Sequence, residues 1–183
     1  MRRSPQLLLL ALVAVLFALS GCQEAAVRYN TRYLALLQQP MPRTLPVPVD
    51  GVSPSQLRDT WGHARYGGRR HQGIDILAPR HTPIRSATEG VLEFKGMRGL
   101  GGQVVTIIGP GGYRHYYAHL EDFGPQALGD WVAEGEVIGT VGNSGNAAVS
   151  APHLHYGIYT PERRAINPYP YLRRSGAVQA AAK

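Results

Sequence analysis

Four histidines and one aspartate in three short segments are the residues of this sequence best suited to chemistry. His71 and Asp75 stand four residues apart, His153 and His155 stand two apart, and His119 lies in a segment between these pairs. Because side chains alternate between the faces of an extended strand, each spacing puts its pair on one face. Imidazole nitrogens and a carboxylate oxygen that converge in this way suit a zinc ion with one open coordination position. The pattern therefore indicates metal-dependent hydrolysis.

Each segment taken alone also has a simpler interpretation as a structural or surface feature. A helix would bring His71 and Asp75 together as well, but Gly73 between them and the neighbouring Ile74 and Ile76 favour a strand. Alternation then places both isoleucines in the core and Gly73 on the cleft side, where its missing side chain leaves room for an ion or a substrate. Three such segments in one small domain favour function over a chance surface pair.

The elements that must position these residues read as an all-β domain. Residues 104–108 form a β-branched run, residues 109–112 form a glycine-rich turn, and residues 113–119 return, which together predict a hairpin. Further short strands are predicted at 91–94, 137–141 and 155–159. We expect a mostly antiparallel folded sheet with short hairpins and little helix.

Within the predicted strands, alternation also assigns side chains to faces. Leu154 and Tyr156 should face the core. His115 and Tyr117 should share the face of His119, so His115 is either a cleft residue or a structural one.

Residues 1–21 have the pattern of an export signal. Arg2 and Arg3 precede an unbroken apolar run from Leu7 to Leu19. As a helix this run would span roughly 20 Å, which is too short for a bilayer core of about 30 Å. A basic start, a short apolar stretch and small residues are typical of a secretory signal rather than of a folded element. We therefore predict that these residues are a signal peptide.

The residues that follow predict lipidation at Cys22. Leu19 to Cys22 resembles the lipobox of bacterial lipoproteins, in which the cysteine carries lipid and becomes the mature N-terminus. Cys22 is the only cysteine, so no intramolecular disulfide and no thiolate metal site can form. Several acyl chains on one residue anchor a protein stably in a membrane. If the cell is Gram-negative, Gln23 lacks the aspartate that favours inner-membrane retention, and we expect an outer-membrane anchor that faces the periplasm.

The charge balance bears on the partners. The chain carries 19 Lys and Arg and 12 Asp and Glu residues, a formal net charge of +7, and the loss of Arg2 and Arg3 with the signal lowers it to +5. Such charge in a cytoplasmic protein would suggest nucleic acid, but export argues against a nucleic-acid partner. Anionic envelope polymers, lipid headgroups or a merely solvated basic surface are the remaining interpretations.

The rest of the chain is long enough for one domain with a core. We assign residues 22–44 to the lipidated N-terminus and a tether, residues 45–172 to the domain, and residues 173–183 to a flexible tail. In the tether, residues 25–39 show a weak helical pattern, and the prolines that follow favour an extended connection.

The motifs occur in the order of a known family. They resemble the M23 zinc metallopeptidases, lysostaphin- or LytM-like enzymes that cleave peptidoglycan peptides. The similarity covers roughly residues 45–172 and rests on Trp61-Gly62 and on the segments 68–79, 88–92, 117–120, 129–145, 151–158 and 166–172. It implies a lysostaphin-like peptidase fold, one zinc ion as cofactor and peptidoglycan peptides as the substrate.

The resemblance also implies a role for each site residue. Carried over from the family, the zinc ligands are His71, Asp75 and His155, and the catalytic residues are His119 and His153. All five are present. The chain has no HExxH motif, so the glutamate base of other zinc peptidases is missing and proton transfer would fall to the two catalytic histidines. The sequence does not divide that work between them.

Two function classes fit these residues. The first is an active zinc endopeptidase that hydrolyses amide bonds in peptidoglycan cross-links during cell-wall remodelling. The second is a catalytically silent relative that binds peptidoglycan or activates another wall hydrolase. Silent relatives typically lack one or more ligands, and this sequence lacks none, which favours the enzyme. Proteolysis of envelope proteins and control by a protein regulator are left open. His81 stands where the family commonly has glycine, at a predicted turn that histidine tolerates.

Overall fold

The structure is a computed structural model that describes residues 23–173. The predicted signal peptide, Cys22 and residues 174–183 of the predicted tail lie outside the described residues. The helices are α1 at residues 23–38 and α2 at Tyr169–Arg173. The strands are β1 (Ile74–Leu77), β2 (Pro83–Arg85), β3 (Gly90–Arg98), β4 (Gly102–Ile108), β5 (Arg114–Ala118), β6 (Leu120–Phe123), β7 (Trp131–Val132), β8 (Val137–Val141), β9 (His153–Tyr159) and β10 (Ala165–Ile166).

Every strand pair in the described residues is antiparallel, and the strands form two sheets. The larger sheet has the order β1-β9-β5-β4-β3-β7 with β10 beside β9, and the smaller sheet has the order β2-β8-β6. The predicted hairpin is formed by β4 and β5 around a turn at Pro110–Gly112. The prediction of an all-β, mostly antiparallel fold with little helix is therefore confirmed.

The topology brings the three candidate segments together. β9 lies between β1 and β5 in the larger sheet. In this register Asp75 of β1 and Ala118 of β5 both lie opposite His155 of β9. Residues far apart in the sequence thus meet on neighbouring strands.

The core forms on the opposite face of these strands, as alternation predicted. Ile74 and Ile76 of β1 and Leu154, Tyr156 and Ile158 of β9 are all almost completely buried. Burial of each such side chain contributes about 1.5–3 kcal/mol to folding. The face that carries the histidines and the aspartate is consequently held by a packed apolar layer beneath it.

The chain divides into two units between Ala35 and Leu36. In the first unit, the described residues are helical and mostly exposed, and Arg28 pairs with Glu24 one turn earlier at 3.1 Å. The second unit contains the sheets and begins at Leu36, which is 1% exposed, whereas the sequence placed the start of the domain at residue 45. No helix in the described part of the chain has the length and apolar character needed to cross a membrane.

His115 is a core residue, so the alternative interpretation as a cleft residue is wrong. Its side chain is fully buried, and its Nδ1 lies 2.7 Å from the hydroxyl of Tyr156. Tyr117 beside it is also fully buried, and its hydroxyl accepts a hydrogen bond from the backbone N–H of Ala87 at 2.8 Å.

We expect His115 to make the metal-free protein less stable as the pH falls. Burial lowers the pKa of His115 from its ordinary 6.5 to about 3. Between these values the unfolded chain binds a proton on this side chain and the folded chain does not, so the unfolding free energy falls by up to about 1.4 kcal/mol per pH unit as the solution is acidified. Denaturant unfolding at several pH values measures this slope. His115→Phe should lower stability near neutral pH, because the hydrogen bond to Tyr156 is lost, and should flatten the decline toward acid pH. An unchanged pH dependence in the variant would contradict the assignment.

Candidate metal centre and cleft

The side chains of His71, Asp75 and His155 converge at one point. His71 Nε2 lies 2.8 Å from His155 Nδ1, and Asp75 Oδ1 lies 3.1 Å from each of these nitrogens. Among residues 23–173, no other group of three His, Cys, Asp or Glu side chains comes together in this way. The predicted spacing therefore identified three side chains that share one site.

The prediction that one strand carries both His71 and Asp75 is wrong. β1 begins at Ile74, so His71 lies in the preceding loop. The backbone of that loop is fixed by two hydrogen bonds, from the N–H of Gly62 to the carbonyl of His71 and from the N–H of His71 to the carbonyl of His63, each 2.9 Å. The loop rather than strand alternation directs His71 toward β9.

Gly73 makes room for His155 and not, as the sequence suggested, for an ion or a substrate. A Cβ atom at Gly73 would lie 2.5 Å from the carbonyl oxygen of Tyr156 and 2.8 Å from Nε2 of His155. A Cβ atom, which cannot form a hydrogen bond, does not approach other atoms this closely. The glycine is therefore required for the imidazole of His155 to reach the centre.

Gly73→Ala is accordingly expected to displace His155. The added methyl group should lower the zinc affinity about 10- to 100-fold and the unfolding free energy by about 1–3 kcal/mol. Competition with a fluorescent zinc chelator measures the first quantity. Gly51→Ala is the control, because Gly51 has a φ of +75° with no atom near its missing side chain, so that variant is strained but leaves the centre intact. Equal zinc affinity in Gly73→Ala and the wild type would refute this role.

Thr60 holds two of the three converging residues from behind. Its backbone carbonyl lies 2.8 Å from Nδ1 of His71, and its hydroxyl accepts a hydrogen bond from the backbone N–H of Asp75 at 3.1 Å. A carbonyl only accepts, so Nδ1 of His71 carries the proton and Nε2 directs a lone pair at the centre. Such an outer hydrogen bond fixes the ring orientation and the tautomer of a metal-binding histidine.

Asp75 is an anion in this environment. Burial acting alone would raise its pKa, but His155 and His71, when protonated, donate hydrogen bonds to the carboxylate and lie beside it as positive charges, which holds the pKa of Asp75 well below its ordinary value. Its second oxygen, Oδ2, forms a short ion pair with the guanidinium of Arg65. Oδ1 is therefore the oxygen left to face the two imidazoles.

The three side chains fit a small divalent cation. Ligand atoms about 2.0–2.2 Å from a tetrahedral zinc ion lie about 3.3–3.6 Å from one another. The separations of 2.8, 3.1 and 3.1 Å are shorter than this by roughly 0.2–0.8 Å, so the two rings must move slightly apart to admit the ion. Two neutral imidazoles and one carboxylate form a donor set typical of catalytic zinc.

His119 and His153 lie beside this group. The ring centroids of His119 and His153 are 5.0 Å apart, and that of His119 is 5.9 Å from that of His155. Nε2 of His153 lies 3.9 Å from Oδ1 of Asp75. All five candidate side chains thus occupy one site.

His119 reaches the cleft through an unusual backbone conformation. It follows the last residue of β5 and has a φ of +65°, which few residues other than glycine adopt. This turn reverses the face of its side chain, so the prediction that His119 shares a face with His115 and Tyr117 is wrong. Tyr116, which lies between His115 and Tyr117 in β5 and has its side chain on the other face of the strand, lines the cleft instead. Left-handed residues of this kind often occur at functional sites.

Backbone carbonyls orient both histidines in the same way. Nδ1 of His119 lies 2.8 Å from the carbonyl oxygen of Ser144, and Nδ1 of His153 lies 2.8 Å from that of Ala151. Each Nδ1 must carry a proton to make this contact, so in the neutral ring each Nε2 is an acceptor. Burial lowers the pKa of His119 to about 4 despite the opposing effect of the Ser144 carbonyl. His119 is therefore neutral at neutral pH.

The five side chains lie in an open cleft of about 720 Å³. Tyr116 lines it with its ring edge-on to His155, at 6.0 Å between centroids. Burial and the nearby Tyr159 raise the pKa of Tyr116 to about 12, so its hydroxyl keeps its proton. Four arginines line the same cleft.

Three residues of the site were not found from the sequence. Thr60 and Arg65 act from a loop, where no periodicity relates them to the residues they hold. Tyr116 was missed because strand alternation from His119 selected His115 and Tyr117, and nothing in the sequence predicts the left-handed turn at His119. His81, in contrast, has the positive φ expected of a glycine-like turn position, +65°.

The chain is similar in sequence to known peptidases. Residues 69–168 match the sequence model of peptidase family M23. The chain is 43% identical over 127 residues to the L-Ala–D-Glu endopeptidase of Bacillus subtilis, a match that covers 63% of this chain and 39% of that protein. It is 48% identical over 88 residues to the DD-carboxypeptidase/endopeptidase Mpg of Neisseria meningitidis serogroup B, which covers 48% of this chain and 20% of that protein. The chain thus spans well under half the length of these relatives.

A solved structure shows the same fold. The catalytic domain of lysostaphin from Staphylococcus simulans aligns with a TM-score of 0.58 and 27% sequence identity, over 66% of this chain and 95% of that domain.

Proposed function

The chain belongs to peptidase family M23, and from this premise we propose that it is a zinc-dependent endopeptidase that hydrolyses amide bonds in peptidoglycan cross-links. The observation that carries the proposal is the convergence of two imidazole nitrogens and one carboxylate oxygen, all within 3.1 Å of one another. The names of the two curated relatives describe cleavage at D-amino acids, which supports a peptidoglycan substrate here.

In this proposal His71, Asp75 and His155 hold one zinc ion through Nε2, Oδ1 and Nδ1. The ion, when bound, polarises a carbonyl group and lowers the pKa of water at its open position to about 7. The protein contributes ligands that are already oriented. Thr60 fixes the ring of His71 through its carbonyl, and Arg65 holds Oδ2 of Asp75 so that Oδ1 faces the imidazoles. Little reorganisation therefore accompanies zinc binding.

His119 and His153 are the proposed catalytic residues. Amide hydrolysis requires a group that accepts a proton from water and a group that returns a proton to the leaving amine. In its neutral form each ring has Nδ1 occupied by a carbonyl contact and Nε2 free to accept a proton near the centre. The carbonyls of Ser144 and Ala151 then stabilise the imidazolium through Nδ1–H, until the proton passes to the amine nitrogen. We propose that the two residues share this work.

The proposed location is the cell envelope. The export signal at residues 1–21 and the lipobox around Cys22 support a lipid-anchored protein, on the outer membrane facing the periplasm if the cell is Gram-negative. Expression of the wild type and Cys22→Ala, followed by membrane fractionation, tests this. The wild type should sediment with membranes and the variant should not.

The activity is tested with purified protein and isolated peptidoglycan. We expect chromatography with mass detection to show cross-linked muropeptides falling and uncross-linked ones rising. The change should stop when a chelator removes the metal and resume when zinc is restored. Intact cross-links in the presence of zinc-loaded, folded protein would overturn the proposal and favour a silent peptidoglycan-binding relative.

A further inference from the structure

The cleft beside the candidate metal centre carries positive charge that the protein itself does not balance. Arg58, Arg65, Arg69 and Arg70 line it, and Asp75 is the one acidic residue among the described residues that do so. Asp75 pairs with Arg65. The other three arginines have no carboxylate partner in the described part of the chain. We call Arg58, Arg69 and Arg70 the basic face.

Most arginines elsewhere in the domain have a carboxylate partner. Carboxylates pair with the arginines at positions 80, 85, 114, 163 and 164. Arg98 stacks on the ring of Phe94 at 4.0 Å. Arginines without a carboxylate are thus concentrated where a substrate would lie.

The loop that carries two of these arginines is ordered by its own backbone. The N–H of Arg65 donates to the carbonyl of Arg69 at 2.9 Å, and Ala64 pairs with Arg70 as an isolated antiparallel bridge. Gly67 and Gly68 close the loop with φ values of +74° and +73°. His71 follows Arg70 directly in the sequence. This small hairpin therefore holds Arg69 and Arg70 at a fixed position relative to the centre.

The guanidinium groups are oriented and still have free donors. Nε of Arg69 donates to the carbonyl of Tyr66 at 3.1 Å, and Nη1 of Arg70 donates to the carbonyl of Gly62 at 3.2 Å. A guanidinium has five N–H donors, so most remain available on each side chain. Planar guanidinium groups recognise carboxylates through paired hydrogen bonds.

We propose that the basic face binds a free carboxylate of the substrate peptide, so that the enzyme prefers peptides with an ionised carboxyl group near the cleaved amide over peptides in which that group is amidated. This inference rests on the proposed function, since it concerns the substrate of the same cleft. An exposed ion pair is worth about 0.2–1 kcal/mol, or 1.4- to 5-fold in affinity, so three arginines together give about tenfold.

The test compares two synthetic cross-linked stem peptides that differ only in whether the α-carboxyl group of D-isoglutamate and the terminal carboxyl group are free or amidated. Calorimetry gives the Kd of each peptide, and chromatography gives kcat/KM. The decisive variant is Arg58→Gln/Arg69→Gln/Arg70→Gln. Its control is Arg43→Gln/Arg163→Gln/Arg164→Gln, which removes the same charge from exposed arginines outside the cleft. Melting temperatures confirm that both are folded.

We expect the wild type and the control to bind and cleave the free acid about tenfold better than the amidated peptide, and the basic-face variant to lose this preference. Equal Kd and equal kcat/KM for both peptides in the wild type would overturn the inference and leave the proposed function standing. Retention of the full preference by the basic-face variant would overturn the inference in the same way. Tighter binding of the free acid with cleavage of neither peptide would support the basic face and overturn the proposed function.

Discussion

Replacement of His71 by alanine is expected to abolish zinc-dependent cleavage through loss of the metal. Zinc-finger sites with four protein ligands bind zinc with about 10–16 kcal/mol, or roughly 2.5–4 kcal/mol per ligand, so loss of one of the three ligands here should lower the affinity about 10²- to 10³-fold. The loss removes an almost fully buried ring whose Nε2 lies 2.8 Å from the nearest ligand atom of the centre. Equilibrium dialysis against buffered zinc measures the change.

Thermal unfolding provides a second measurement of the same loss. A ligand that binds the folded chain raises its stability by about 2.7 kcal/mol at one hundred times the Kd. Zinc should therefore raise the Tm of the wild type and have little effect on His71→Ala. His63→Ala is the matched control, because that side chain is exposed and only its backbone carbonyl contacts His71. Full zinc-induced stabilisation of His71→Ala would exclude His71 as a ligand.

Replacement of His119 should have the opposite combination of effects, with zinc retained and turnover lost. His119→Asn is the informative variant, since asparagine tolerates the φ of +65° but cannot accept and return a proton as imidazole does. General acid–base catalysis contributes about 10²- to 10⁴-fold, and we expect kcat/KM to fall within that range. Metal analysis of the same sample should show one zinc per chain.

His81→Asn is the control for backbone strain. His81 has the same φ of +65° but is exposed and outside the cleft. The His81→Asn variant should keep the zinc content and the kcat/KM of the wild type. Full activity of His119→Asn would remove His119 from catalysis and leave proton transfer to His153. Loss of zinc from His119→Asn would instead make it a residue that supports the metal.

The sequence predicted the parts of the molecule that depend on repeating geometry. Alternation along β1 and β9 correctly separated Ile74 and Leu154, which face the core, from Asp75 and His155, which face the centre. The hairpin of β4 and β5 followed from a β-branched run and a glycine-rich turn. These predictions worked because the period of a strand relates neighbouring side chains without reference to the rest of the fold.

The incorrect predictions fall where that period is interrupted. His71 lies outside β1, and a loop with its own hydrogen bonds directs it to the site. The left-handed backbone of His119 reverses the face that alternation assigned. Gly73 accommodates a side chain from another strand, which depends on the pairing of β1 with β9. Each error concerns a long-range contact or a single backbone angle that local sequence patterns do not encode.

The most direct test of the proposed zinc chemistry is a zinc titration in which metal content and cleavage are measured on the same sample. Metal-free protein is supplied with increasing zinc, and the hydrolysis of a cross-linked muropeptide is followed by mass spectrometry. The three converging ligands predict no cleavage without zinc and a rise that levels off at one bound ion per chain. Cleavage by the metal-free protein, or no cleavage when one zinc ion is bound, would contradict the proposed zinc chemistry.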